Sequence, residues 1–88
     1  MIQVRIVNTE QELFSGEVSK IVAPGSQGQF TVLPGHVPFL TTLTKGAILV
    51  SGNGAGNEIG TGDDKFFEVS KGGVFELAPG DQATILLS

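Results

Sequence analysis

An 88-residue chain with one histidine and no cysteine offers few places for catalysis. A nucleophile–base pair would have to use His36, which sits between Gly35 and Val37 in a turn bounded by Pro34 and Pro38. An imidazole placed there suits a bond to the loop backbone, or contact with a partner, better than proton transfer. Carboxylates lie close in sequence at Asp63-Asp64 and at Glu10 and Glu12. Neighbours on a strand face opposite ways and i, i+2 pairs share a solvated face, so neither set reads as a general acid–base couple. The glycine runs GSQG and GNGAGNEIGTG lack a Gly-Lys-Ser/Thr ending and a following helix, which argues against a phosphate cradle.

Metal chemistry is equally poorly supplied. There is no thiolate. The Gly, Asn and Asp content of residues 52–64 suits a calcium loop, but glycine-rich calcium sites need their unit repeated and this one occurs once. No cofactor is implied. The formal charge of −4 comes from scattered acidic residues, and no cluster of Lys and Arg offers a nucleic-acid surface. No apolar run approaches the roughly 18 residues of a membrane span. Gln3, Arg5 and Asn8 interrupt any signal-peptide core, so the chain reads as soluble and not inserted in a membrane. These residues describe an interaction module without chemistry of its own.

The elements that would position such a module are short strands. Ile2, Val4 and Ile6 alternate with Gln3 and Arg5, the pattern of a half-buried strand. Further extended runs are expected at 11–14, 17–23, 29–33, 37–43, 47–50, 65–70, 74–77 and 82–87, with 51–64 a loose hairpin or a partly mobile loop in which Glu58-Ile59 is a weaker candidate for pairing. Turns are expected at Ser15-Gly16, Pro24-Gly25, Pro34-Gly35, Lys45-Gly46, Gly72-Gly73 and Pro79-Gly80-Asp81. Nothing keeps helical periodicity over ten residues, and only 9–13 could hide a helical turn. Nine or ten strands with Gly or Pro every 8–12 residues or so predict one all-β domain, a sandwich or barrel, over residues 1–88. The expected core draws on Val4, Ile6, Val18, Val22, Phe30, Val32, Leu40, Leu49, Phe67, Val74, Phe75, Leu77, Ile85 and Leu87.

Between Val22 and Leu40 the chain holds three of its four prolines and its histidine. Proline fixes φ and glycine permits φ > 0, so this path is tightly specified. A stiff loop on a sheet scaffold is an ordinary binding device.

Several motifs in this region occur in the order of one family. They are Phe14-Ser15-Gly16, Gly25-Ser26-Gln27-Gly28, Leu33-Pro34-Gly35-His36-Val37-Pro38 and Lys45-Gly46, followed by Gly72-Gly73-Val74-Phe75-Glu76-Leu77 and Pro79-Gly80. The chain resembles the epsilon subunit of F-type ATP synthases, everywhere except 51–64. The resemblance implies a ten-stranded β-sandwich of two five-stranded sheets. It implies a non-catalytic part of the central rotor stalk, docked on the gamma subunit and on the ring of c subunits, coupling proton flow to ATP synthesis. Such a subunit is held peripherally on the cytoplasmic face of a bacterial inner membrane, or at its organellar equivalent. By similarity, Gly25, Ser26, Gln27, Gly28 and Gln29 would face the c ring, and Asn8, His36 and Thr41 would lie toward gamma.

There are departures from the pattern. The family commonly continues into a C-terminal helical hairpin that regulates ATP hydrolysis, whereas this sequence stops at Ser88, so that regulation is not carried over. Gln29 stands where the family is often acidic, which removes an ion pair at that point. Lys71 stands where a small Ser is usual, which implies a bulge or an exposed lysine. The rival expectation is a free-standing β-sandwich that binds a metal or a sugar through its Gly/Asn/Asp loop.

Overall fold

The computed structural model of the chain describes residues 1–52 and 64–88. Nine strands run through them: β1 (Ile2–Val7), β2 (Glu12–Val18), β3 (Lys20–Gly25), β4 (Gly28–Val32), β5 (Phe39–Leu43), β6 (Gly46–Ser51), β7 (Lys65–Val69), β8 (Gly73–Ala78) and β9 (Gln82–Leu87). There is no helix among the described residues. At 9–13, Asn8 Oδ1 instead accepts the backbone N–H groups of Glu10 and Gln11, both at 2.8 Å, an Asx turn that competes with helix.

Hydrogen bonding runs β2-β1-β9-β8-β5 through one half and β4-β3-β6-β7 through the other. The halves join at a single residue pair, Gly25 opposite Leu43. Among the described residues, the expected sandwich of two five-stranded sheets is a five-stranded and a four-stranded half sharing one corner. The expected strand at Glu58-Ile59 lies outside the described residues, as do 53–63 of the Gly/Asn/Asp loop. All the pairings are antiparallel except β1 with β9, which sets the first and last strands side by side in parallel, with Met1 and Ser88 at opposite ends of the pair.

The core lies between the halves. Ile2, Val4 and Ile6 of β1, Phe75 and Leu77 of β8, and Ala83 and Ile85 of β9 face Ile21 and Ala23 of β3 with Ile48 and Val50 of β6. Aromatic contacts seal two sides. Phe30 of β4 meets Phe75 and Phe39 edge-on at 5.1 and 5.3 Å, and Phe14 of β2 meets Phe67 of β7 at 5.7 Å. Edge-to-face pairing suits the aromatic quadrupole.

Six expected core residues face outward or only partly inward. Leu40 is 68% exposed, Val74 is at the surface, Val22 and Leu49 are half-buried, and Phe30 and Phe67, also half-buried, pack against the core from its margin. Ile21, Ala23, Leu43, Ile48 and Val50 fill the core instead. The cause at Val22 is a corner. The expected turn at Ser15-Gly16 does not form, because both residues lie inside β2 opposite Arg5 and Val4. The chain bends at Ser19, whose N–H and Oγ–H both reach Ser51 O, at 2.8 and 3.0 Å. Two successive residues there point away from the core, which resets the alternation from even to odd positions. In Ala47–Val50 and Val74–Phe75 unbroken apolar runs hide the phase.

Candidate docking surfaces

The expected turn at Pro24-Gly25 shifts by two residues. Gly25 pairs with Gly28 and only Ser26 and Gln27 form the tip of the β3–β4 hairpin. Hairpins this tight usually place φ > 0 at a tip residue. Here the positive angle falls on Gly28, at 127°. Gly25 is required for space: a Cβ there would come within 2.7 Å of Gly28 O and 2.8 Å of the Phe30 ring.

The tip is bonded to β5 on both sides of the Gly25–Leu43 corner. Ser26 N–H donates to Thr42 O at 3.0 Å, and Thr44 N–H donates to Pro24 O at 2.8 Å. The hydroxyls of Ser26 and Thr42 share a 2.6 Å hydrogen bond. The hairpin, whose residues from Ser26 to Gln29 are exposed, is thus fastened to both halves of the sandwich.

From Thr42 an exposed row crosses the outer face of the five-stranded half. Thr42 pairs with Val74, Val74 with Leu86, and Leu86 with Val7, whose neighbour is Asn8. Leu86 is 50% exposed. Asn8 therefore lies at the same end as the hairpin, about 14 Å away across three strand spacings.

His36 lies at the opposite end. Leu33-Pro34-Gly35-His36 is a type II turn: His36 N–H donates to Leu33 O at 3.2 Å and Gly35 has φ of 87°. His36 Nδ1 is 2.7 Å from Val37 O, and the ring lies 5.0 Å from that of Phe39. The imidazole is thus occupied by its own loop, with no acid or nucleophile among the described residues bonded to it. Val37 beside it is 70% exposed. Thr41, half-buried in the middle of β5, donates its hydroxyl to Thr42 O at 3.3 Å. Asn8, Thr41 and His36 thus span the length of the sandwich and form no single cluster.

Two further contributors carry almost no signal in the sequence. Thr42 splints the hairpin, and nothing in a Thr-rich strand marks one hydroxyl over another. Asp81 accepts Gly35 N–H at 3.0 and 3.1 Å from its two carboxylate oxygens, and a Pro-Gly-Asp turn is all that announces it. Lys71 is exposed, as one of the two expectations for it required. Among the described residues no group of three or more His, Cys, Asp or Glu could hold a metal, and the candidate calcium loop falls almost wholly outside them.

A family model described as the ATP synthase delta/epsilon chain β-sandwich domain matches residues 1–87. The chain belongs to this family. Curated relatives include the ATP synthase epsilon chains of Psychrobacter arcticus and Psychrobacter cryohalolentis. Each is 40% identical over 78 residues, a match covering 89% of this chain and 51% of the relative. The chain thus spans about half the length of these epsilon chains. The same fold occurs in the Euglena gracilis mitochondrial ATP synthase, in a structure of OSCP, F1 and c ring. That match has a TM-score of 0.79 and 20% identity, over 98% of this chain and 49% of the other. A chain of the Tetrahymena thermophila mitochondrial ATP synthase central stalk and c ring matches with a TM-score of 0.73 and 16% identity. Here 99% of this chain and 63% of the other are covered. The β-sandwich of the delta/epsilon family is accordingly the fold of this chain, in line with the resemblance carried by its Leu-Pro-Gly-His-x-Pro and Gly-Ser-x-Gly motifs.

Proposed function

We propose that this chain is a non-catalytic rotor-stalk module of an F-type ATP synthase, docked on the gamma subunit and the c ring and turning with both. It would be held at the membrane by the assembly, on the cytoplasmic face in a bacterium, and would help couple proton flow to ATP synthesis. Membership of the delta/epsilon family supports the assignment, and the descriptions of the structural neighbours include a central stalk and c rings. The observation that carries it is the double fastening of the β3–β4 hairpin. A surface that transmits torque must not yield when its partner pulls. Gly25 to Gln29, bonded into both halves at their shared corner, meets that requirement for the c ring. Asn8, Thr41 and His36 offer gamma points along the body, where a long contact resists rotation better than a local one.

The test is reconstitution. Mixed with purified gamma at micromolar concentration, the chain should elute from gel filtration as one complex. Two separate peaks would remove the proposal. For the c ring, a complex of this chain with gamma should be retained by immobilised c ring, and Gly28→Val in the hairpin should reduce retention while leaving the gamma complex intact.

A further inference from the structure

Asp81 is the one non-glycine residue with positive φ among those described, at 58°. It closes the β8–β9 turn after Gly80, whose φ is 85°. Aspartate tolerates this left-handed position better than most residues, but glycine would occupy it with less strain, so the turn alone does not single out a carboxylate. The reason lies in what the residue holds. Its backbone carbonyl accepts Gln3 N–H at 2.9 Å, at the start of β1. Its carboxylate takes Gly35 N–H, 46 residues away in sequence, at 3.0 and 3.1 Å from the two oxygens. Strain retained at one residue and used to hold another segment is the pattern expected where a conformation matters for function.

The peptide that Asp81 grips is the one that defines the turn. Types I and II differ by a flip of the central peptide, here Pro34–Gly35, which carries the Gly35 N–H. An acceptor fixed on one side of that peptide selects one orientation. We propose that Asp81 is a positioning residue: its carboxylate selects the type II state of the Leu33–His36 turn, and so presents His36 and Val37 to gamma in a single conformation. This rests on the docking reading above. Without the carboxylate the peptide flips more freely, the competent fraction falls, and apparent affinity falls by the same factor.

The experiment compares Asp81→Gly, Asp81→Asn and, on the loop itself, Val37→Asp. In the free chain, amide exchange at Gly35 should be about tenfold faster in Asp81→Gly, as expected for loss of a charge-assisted hydrogen bond. Gamma binding should weaken about three- to tenfold, with the unfolding midpoint little changed, because the backbone strain that glycine relieves offsets most of the bond lost. Asp81→Asn keeps an acceptor oxygen and tolerance of the left-handed conformation, and should bind close to the parent. Parental Gly35 exchange in Asp81→Gly overturns the proposal. So does parental gamma affinity in Asp81→Gly when Val37→Asp has lost binding, or a loss of affinity matched by a loss of stability. If Val37→Asp binds gamma normally, the docking role of this loop falls, and with it the presentation half of the proposal. The turn-selecting half is then decided by Gly35 exchange alone.

Discussion

Two glycines in the hairpin are required for different reasons, and substitution separates them. A Cβ on Gly25 would drive into Gly28 O and the Phe30 ring, neither of which can swing away freely. Gly25→Ala is therefore expected to cost about 1–3 kcal/mol in urea unfolding, the range for overpacking a close-fitted site. At Gly28 a Cβ would meet nothing within 4 Å, and only the φ of 127° resists a side chain. Gly28→Val should distort the tip and weaken c-ring retention more than it lowers stability. Equal losses would show that the tip is structural only. At this scale the sequence was legible where chemistry is local. Pro34-Gly35 announced a tight turn, and the Gly25–Gly28 segment announced a special backbone. Asp81 was not legible, because its partner Gly35 is 46 residues away and only the folded chain brings them together.

The unit that matters among the elements is the β3–β4 hairpin fastened across the corner to β5. Its two backbone bonds survive any side-chain change, so the Ser26–Thr42 hydroxyl pair can be removed in isolation. Thr42→Val and Ser26→Ala should each lower stability by about 0.5–1.5 kcal/mol, the net worth of one hydrogen bond. In a double-mutant cycle the combined loss should fall short of the sum, because both remove the same bond. Full additivity would mean that the hydroxyls do not interact in solution. Strand positions were largely readable from alternation and punctuation, most clearly in β1 and β9. The facing of individual strands was less so. At Ser19 a bend slips the phase by one residue, and in Ala47–Val50 every side chain is apolar, so period two leaves no trace. Both difficulties are resolved by pairing partners, Ser51 for Ser19 and β3 with β7 for β6, which one strand's own residues do not specify.

For the whole molecule, stiffness must come from a small core. A domain of this length is stable by roughly 4–13 kcal/mol at the usual 0.05–0.15 per residue. Phe75, fully buried, touches both Phe30 across the sandwich and Phe39 at the corner strand, with ring centroids 5.1 and 5.4 Å away. Removing it withdraws the main bridge between β8, β5 and β4. Phe75→Ala should cost about 3–5 kcal/mol, a large share of that total. The variant alone should melt well below the parent and with a broader transition. Gamma binds only the folded sandwich on the proposed reading, so its addition should raise the variant's melting temperature progressively with gamma concentration, by mass action. The exposed Arg5–Glu12 pair at 2.9 Å makes an internal control: it is worth under about 1 kcal/mol, and Arg5→Ala should scarcely move either curve. A Phe75→Ala melting curve indifferent to saturating gamma would mean that docking does not require the intact sandwich. In that case the load passes through some other part of the chain than the corner where its two halves meet.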